Sequence, residues 1–167
     1  NHIFDPSENW IEIGRRLNLI FPNHPKDVTI GVTAAGVIPY YSELNSIDLR
    51  GLNDRYIAKS GVITGSRPGH TRGPTLDYLY DSNINLLVGH PQVRSINAPF
   101  SFQKFSQSFC GFMDQKDCNL LAKKSHKVIS MQIDSNYIID MLYMSPSKSI
   151  EEAIKNNLLS IMHREGS

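Results

Sequence analysis

The chain has 167 residues, of which 40% are hydrophobic and 20% charged, with 17 Lys and Arg against 16 Asp and Glu. This length suits one domain with a substantial core, and the composition excludes the fibrous and disordered classes. A net charge of +1 gives no overall electrostatic case for a nucleic-acid partner or a membrane surface, and no apolar run reaches the roughly 20 residues of a membrane-spanning helix.

The N-terminal segment predicts an amphipathic helix. Asp5 and Glu8 have the spacing of a capping box, and Pro6 suits the first helical turn. Apolar residues then recur on one face between Trp10 and Ile20. We therefore expect a helix that begins at Asp5 or Pro6 and stops before the prolines that follow.

Short strands and a short helix are predicted next. Residues 28–32 and 84–88 are apolar runs bounded by turn residues, which is typical of buried strands. Residues 46–49 predict another short strand, and residues 37–44 have room for only a short helix. The first half of the chain thus alternates between strands and helices.

A polar region separates the second predicted strand from the third. Asn53 or Asp54 can cap a short helix. Residues 60–74 are rich in Gly, Ser, Pro, Arg and Thr, which predicts a long loop, and residues 76–80 predict a further helical turn or two.

The C-terminal part predicts a hairpin and a final helix. Residues 97–124 carry irregularly spaced phenylalanines and are expected to be partly helical. Residues 127–134 and 136–144 are two strand-like runs joined by a short turn, which indicates a hairpin. Ser149 and Glu152 resemble a capping box, and the apolar stripe that follows extends to position 161.

Together these elements predict a single α/β domain over residues 1–167. Strands that alternate with helices favour a Rossmann-like, mostly parallel sheet flanked by helices, and the late hairpin adds an antiparallel part at the C-terminal side. Because the chain begins with Asn1 and shows no signal-peptide pattern, we expect it to be a fragment of a longer protein.

The motifs of nucleotide-binding enzymes and hydrolases are incomplete. A dinucleotide fingerprint needs three glycines around a strand–helix turn, whereas only Gly36 lies in this turn and Gly31 lies within the strand. Asp48 follows Gly36 by 12 residues, which is shorter than the usual spacing of about 20. The nucleophile elbow of hydrolases, G-x-S-x-G, is also not matched, because Ser66 is the second and not the third residue of GSRPG.

Two histidines each follow a glycine. His70 and His90, with Asp48 or Asp54, have the residue types of a metal or acid–base site. The alternative is that they are ordinary loop histidines, and this alternative is favoured. We therefore expect no metal, no cofactor and no catalytic residue.

Basic and aromatic residues provide a second set of candidates. Arg67 and Arg72 flank His70 and have the chemistry to hold a phosphate or carboxylate, although a solvated loop explains them equally. Of the adjacent Tyr40 and Tyr41, one is expected in the core and the other is able to stack on a sugar.

Cys110 and Cys118 are the two cysteines. They are too few for a zinc site, which uses about four ligands. Their spacing permits a disulfide in an oxidising compartment, and two free thiols in a reducing one. Spacing alone leaves both alternatives open.

The stretch from residue 34 to residue 88 resembles a segment of bacterial multi-spanning glycosyltransferases of the GT-C type. These enzymes are related to protein mannosyltransferases and mycobacterial arabinofuranosyltransferases. The matching positions are Gly36, Tyr40, Tyr41, Ser42, Asp48, Gly51, Leu52, Asp54, Ile57, Ala58, Gly69 and His70. The Pro-Asp pair that precedes the third strand in that pattern is absent, and the resemblance covers about half of the chain.

The resemblance implies a domain on the periplasmic face of the bacterial inner membrane, attached to the transmembrane part of the same polypeptide. The parent enzyme would use a polyprenyl-phosphate sugar, and its catalytic acid would lie outside this chain. This chain would then bind or position an acceptor glycan or lipid-linked sugar, without nucleic acid. A periplasmic location also favours a disulfide between Cys110 and Cys118. The expected ligand-binding residues are Tyr40, Tyr41, Asp48, Asn53, Asp54, Arg67, His70 and Arg72.

Two other functions remain open at the level of sequence. The chain is alternatively a structural or partner-binding module, in which Asp48 and its neighbours only build a turn. It is also, in a third hypothesis, a small nucleotide-dependent or hydrolytic enzyme that uses Asp48, Asp54 and His70.

Overall fold

A computed structural model describes residues 8–162 of the chain. Within this range there are seven helices and nine strands. The helices are α1 (Trp10–Ile20), α2 (Val37–Ser42), α3 (Arg55–Ser60), α4 (Leu76–Asp81), α5 (Phe102–Cys110), α6 (Gln115–Lys123) and α7 (Lys148–Lys155). The strands are β1 (Thr29–Val32), β2 (Asn45–Asp48), β3 (Val62–Ile63), β4 (Arg72–Gly73), β5 (Leu86–Gly89), β6 (Val93–Ser95), β7 (Lys127–Gln132), β8 (Tyr137–Tyr143) and β9 (Ser160–Met162).

Seven of these strands form one mixed sheet. The order is β2-β1-β5-β8-β7-β9, and β6 pairs with β8 beyond the end of β5. The strands β2, β1 and β5 are parallel, whereas the β5–β8, β6–β8, β7–β8 and β7–β9 pairs are antiparallel. The α/β class is therefore confirmed, but parallel pairs do not predominate as expected. None of the helices among residues 8–162 has the length and apolar character needed to cross a membrane.

Helices cover both faces of the sheet. On one face, α1, α2 and α7 enclose a core that includes Leu86 and Met141. On the other face, α4, α5 and α6 enclose a second core that includes Leu87 and Leu142. Successive residues of a strand point to opposite faces. Because both faces are buried, the central strands read as continuous apolar runs, which is why the sequence predicted them.

The predicted strands and hairpin are confirmed. The runs at residues 28–32, 46–49 and 84–88 correspond to β1, β2 and β5, with boundaries that differ by at most two residues. The predicted hairpin is formed by β7 and β8, in a register that pairs Lys127 with Tyr143.

The start of the first helix differs from the prediction. Asp5 and Pro6 lie outside the described residues, but Glu8 is in a turn that precedes the helix. Asn9 takes the N-cap position with a φ of 40°, and its side chain makes no capping hydrogen bond. A left-handed residue cannot continue a right-handed helix, so α1 begins at Trp10.

The predicted loop at residues 60–74 is wrong in part. Val62 pairs with Gly73 and Ile63 with Arg72, so this region contains a two-stranded antiparallel ribbon. Strands of two residues carry no recognisable alternation, and the Gly and Pro content of the region dominated the prediction.

The boundaries of the final helix are also different. Ser147, not Ser149, caps α7 by accepting a hydrogen bond from the backbone N–H of Ile150. The helix ends at Lys155, and Asn157 then adopts a left-handed φ of 58°. The end of the predicted apolar stripe, at position 161, therefore belongs to β9.

Candidate functional site

Residues 49–75 connect β2 to α4 and are termed the connecting unit. The unit contains α3 and the β3–β4 ribbon, and it begins at the carboxyl end of a parallel strand. Ligands of open α/β sheets bind at this edge. Five of the eight predicted ligand-binding residues lie within the unit: Asn53, Asp54, Arg67, His70 and Arg72.

Asp48 fastens the beginning of the connecting unit. Its carboxylate is buried, and it accepts hydrogen bonds from the backbone N–H of Arg50 at 2.9 Å and of Asn53 at 2.7 Å. Gly51 completes the turn with a φ of 73°, and a Cβ there would lie 2.7 Å from the backbone nitrogen of Ala58. The DLRGLND motif therefore has a local structural role, with both carboxylate oxygens engaged.

Asp54 is engaged in the same way. One oxygen caps α3 by accepting from the N–H of Ile57 at 2.9 Å, so of the two predicted caps, Asn53 and Asp54, it is Asp54 that caps the helix. The other oxygen accepts from the hydroxyl of Tyr78 at 2.7 Å, and the Tyr78 ring stacks on Tyr56 with centroids 4.3 Å apart. Burial, followed by the bond to Asp54, raises the pKa of Tyr78 above its ordinary value.

The ribbon carries the basic candidates. Arg67 and His70 are exposed in the turn between β3 and β4, where the N–H of His70 donates to the carbonyl of Arg67 at 2.9 Å. Arg72 is half-buried, and its guanidinium donates to the carbonyl of Gly61 at 2.6 Å. Of these three side chains, Arg67 and His70 are the ones presented to solvent.

The loop between α5 and α6, which is closed by a disulfide, contacts the connecting unit. Cys110 and Cys118 form a disulfide bond between α5 and α6. Within the loop that it closes, the carbonyl of Gly111 accepts from the Arg50 guanidinium at 3.3 Å, and the carbonyl of Phe112 lies against residue 73 so closely that only glycine fits there. At the end of the unit, Asp117 accepts from the N–H of Leu76 at 2.8 Å.

Burial lowers the pKa of the Arg50 guanidinium, and the charge of Asp48 opposes that shift. Despite this shift, an arginine stays protonated at neutral pH, so the bond to the disulfide loop is charge-assisted.

The two tyrosines of the resemblance lie elsewhere. Tyr40 and Tyr41 are on α2, which packs against α1, and their rings make an edge contact with centroids 5.1 Å apart. Tyr40 is 75% exposed, and Arg15 lies over the ring of Tyr41 at 5.3 Å. The expectation that one of them lies in the core is wrong, because Tyr41 is only half-buried and Tyr40 is exposed. Their contacts are with α1 rather than with the connecting unit.

His90 occupies a different part of the same edge of the sheet. It follows β5, and its Nδ1 lies 3.1 Å from the hydroxyl of Thr33, which follows β1. The ring of Trp10 makes an edge contact with the His90 ring. The backbone N–H of His90 donates to the carbonyl of Ser108 at 2.6 Å. These contacts hold His90 between β1 and β5.

One polar cluster was missed by sequence reasoning. The guanidinium of Arg94 on β6 donates to both oxygens of Asp140 on β8, with the shorter distance 2.7 Å, and the hydroxyl of Ser130 on β7 donates to the same carboxylate. A cavity of about 150 Å³ beside Arg94 is lined also by Lys104 and Phe105. No sequence signal joins positions 46 residues apart, so this cluster requires the sheet register to be known.

Within residues 8–162, no three His, Cys, Asp or Glu side chains are grouped so that they could hold a metal ion. Fold and site together define a mixed α/β domain whose polar connecting unit is braced by a disulfide-closed loop. The family model described as "Domain of unknown function (DUF8728)" matches residues 5–142, and the chain belongs to this family. Comparison with curated proteins and with solved structures finds no match.

Proposed function

We propose that this chain is an auxiliary extracytoplasmic domain of a membrane glycosyltransferase that uses a polyprenyl-phosphate sugar. In this proposal the domain binds or positions the acceptor glycan and does not catalyse transfer alone. The observation that carries the proposal is the connecting unit, which contains five of the eight predicted ligand-binding residues and begins at the carboxyl edge of the parallel strands. The resemblance to GT-C glycosyltransferases supplies the class of enzyme.

The state of the two carboxylates favours binding over catalysis. A general base needs a lone pair within hydrogen-bond reach of the substrate proton. Asp48 accepts two backbone N–H groups, and Asp54 accepts one backbone N–H and the hydroxyl of Tyr78. The groups left to meet a ligand are Asn53, Arg67 and His70, which suit the hydroxyl and phosphate oxygens of a glycan or a lipid-linked sugar.

The disulfide supports the periplasmic location in this proposal. Bonds of this kind persist in oxidising compartments such as the bacterial periplasm and are rare in the cytosol. A bond between Cys110 and Cys118 is therefore compatible with a location on the periplasmic face of the inner membrane, next to the transmembrane part of the same polypeptide.

As part of the same proposal, we infer that the parallel part of the sheet has a Rossmann-like arrangement. The strands β2, β1 and β5 are parallel, and α2 connects β1 to β2. Only Gly36 stands in the β1–α2 turn, which lacks the other glycines of a phosphate-binding fingerprint. In this proposal the parallel strands form the edge of the sheet at which the site lies, but they do not bind a nucleotide.

A second candidate function is a partner-binding module. The observation in its favour is the exposed apolar surface of α1 and α2, where Leu19 is 70% and Tyr40 is 75% exposed. Leu19 also lines a surface cavity together with Tyr41 of α2. Contiguous exposed apolar surface marks interaction sites in many proteins.

The test uses the intact gene product in its native membrane. Asn53→Ala and His70→Ala each remove a hydrogen-bonding group from the connecting unit, and we expect each to raise the KM for the acceptor by about tenfold, the cost of about one hydrogen bond. Gln103→Ala, an exposed change on α5, is the control and should leave transfer unchanged. The proposal fails if the intact product transfers no sugar, or if both variants match the control.

A further inference from the structure

We propose that the connecting unit docks on the surface of an anionic lipid bilayer. Its charge is the first reason. The unit contains five cationic residues and one acidic residue, which gives +4, whereas the whole chain carries +1 and the other 140 residues therefore carry −3. The cationic residues are Arg50, Arg55, Lys59, Arg67 and Arg72. A chain with little overall charge thus concentrates its positive charge in one segment.

Three of these cations point to solvent. Arg55 and Lys59 on α3 and Arg67 in the ribbon turn are exposed, and none of them has a carboxylate partner among residues 8–162. The acidic residue of the unit, Asp54, is occupied by the α3 backbone and by Tyr78. The outward charge is therefore not neutralised from within the unit.

The other two cations are structural. Arg50 donates to the disulfide loop, and Arg72 donates to a carbonyl at the end of α3. The Arg72 bond joins the ribbon to the end of α3, and the Arg50 bond joins the start of the unit to the disulfide loop, so the unit is ordered before any partner arrives. A surface that is ordered in advance loses less conformational entropy when it binds.

The connecting unit also carries exposed apolar side chains. Ile63 is 77%, Leu52 is 66% and Tyr56 is 47% exposed. Ile63 belongs to the ribbon face opposite Gly73, which packs on the disulfide loop, and so it points away from the body of the domain. Leu52 lies beside the ribbon turn: a Cβ on residue 69 would be 3.5 Å from its Cδ2.

This combination suits a lipid surface better than a nucleic acid. Proteins that bind single strands present aromatic faces on which bases stack. Here the most exposed apolar groups are aliphatic, and one face of the Tyr56 ring is already covered by Tyr78 at an interplanar angle of 10°. Aliphatic side chains that enter the headgroup region, together with the exposed Arg and Lys residues of the same unit, supply an apolar and an electrostatic contribution to membrane association.

The inference goes beyond the proposed function, because lipid docking needs neither a glycan nor a glycosyltransferase. It is tested on the 167-residue chain with vesicles of equimolar phosphatidylglycerol and phosphatidylcholine, and with vesicles of phosphatidylcholine alone. We expect sedimentation with the anionic vesicles, and weaker binding as salt increases. Equal binding to both vesicle types would overturn the proposal.

Matched variants separate the charges of the connecting unit from charge in general. The double variant Arg55→Gln/Lys59→Gln should weaken binding about 25-fold, which is about fivefold for each cation near an anionic surface. Lys148→Gln/Lys155→Gln removes two exposed cations from α7 and should change binding little. Similar losses in both double variants would show a non-specific charge effect and would overturn the proposal.

The apolar contribution has its own pair of variants. Ile63→Ser should weaken vesicle binding about tenfold, because it removes a side chain that would be buried in the bilayer interface. Leu19→Ser, at a 70% exposed position on α1, is the control. If Ile63→Ser has no effect, or if the chain binds a single-stranded oligonucleotide more tightly than anionic vesicles, the lipid assignment is wrong. A loss of sugar transfer in the intact protein with normal vesicle binding would concern only the proposed function.

Discussion

The connecting unit and the Arg94 cluster, defined by Arg94, Ser130 and Asp140, use charged residues in opposite ways. In the cluster, the arginine and the aspartate neutralise each other, and the carboxylate side chain is only 6% exposed. In the connecting unit, the acidic group is used to cap a helix, and three cations remain directed to solvent.

The difference separates residues that hold the fold from residues available to a partner. A buried charge that lost its neighbour would remain desolvated, so the Arg94 cluster tolerates little change. An exposed cation is already hydrated and can be replaced at small cost. We therefore expect substitutions in the cluster to change stability, and substitutions of the outward cations to change binding.

The largest expected effect is in the Arg94 cluster. Asp140→Ala leaves a largely buried guanidinium unpaired and also removes the acceptor of Ser130, and it should lower the free energy of unfolding by about 3–5 kcal/mol. Urea denaturation measures this loss. Asp81→Ala, an exposed change on α4, should stay within about 0.5 kcal/mol of the native chain.

A charge-free replacement sharpens this prediction. Arg94→Met/Asp140→Leu removes both charges and should recover most of the stability lost in Asp140→Ala. A loss below 1 kcal/mol for Asp140→Ala would mean that the guanidinium is solvated without its partner, and would contradict the contrast between the two regions.

The second prediction concerns the support of the connecting unit. Cys110→Ala/Cys118→Ala opens a loop with a sequence separation of 8, and the loop-entropy relation gives a loss of about 2–3 kcal/mol. In this double variant, amide hydrogen exchange should accelerate most at Asn53 and Leu76, whose N–H groups donate to Asp48 and Asp117. It should accelerate least at Met141 in the centre of the sheet. Uniform acceleration would contradict the proposed bracing.

The smallest effect is expected at the carboxylate of Asp27, which accepts hydrogen bonds from the start of α7. Hydrogen bonds from the backbone N–H and the hydroxyl of Ser149, and from the hydroxyl of Ser147, lower the pKa of Asp27 below 3.8. Its contribution to stability is therefore present above pH 3.8 and is lost as the pH falls through the folded pKa.

Asp27→Asn tests this pH dependence. The variant should be less stable than the native chain at neutral pH, and the gap should close as the pH falls well below 3.8. Urea unfolding at several pH values measures it. A gap that is the same at all pH values would show that the carboxylate's charge makes no contribution.

Much of the fold was predictable because it depends on short-range signals. The buried strands appear as apolar runs, and Asp54 stands immediately before the helix that it caps. The β3–β4 ribbon was missed since two-residue strands have no period, and α7 was extended too far because the left-handed φ of Asn157 has no certain sign in the sequence.

The candidate site was predictable to a similar extent. Five of the predicted ligand-binding residues lie within 27 consecutive positions, so their proximity along the chain was enough to group them. The pairing of Arg94 with Asp140 and the contact of residue 73 with the Phe112 carbonyl join distant parts of the chain, and only the tertiary structure brings them together. Tyr40 and Tyr41 adjoin the motif in sequence, yet their packing partner is α1.

The position of the disulfide loop has a consequence for biosynthesis. The connecting unit ends at residue 75, but the carbonyls and the carboxylate that brace it belong to residues 111–117. Contacts between distant positions form only after the intervening chain is available. During vectorial synthesis, the cationic segment therefore emerges before its support, and the proposed docking surface is completed only when the α5–α6 loop has followed it and its cysteines have been oxidised.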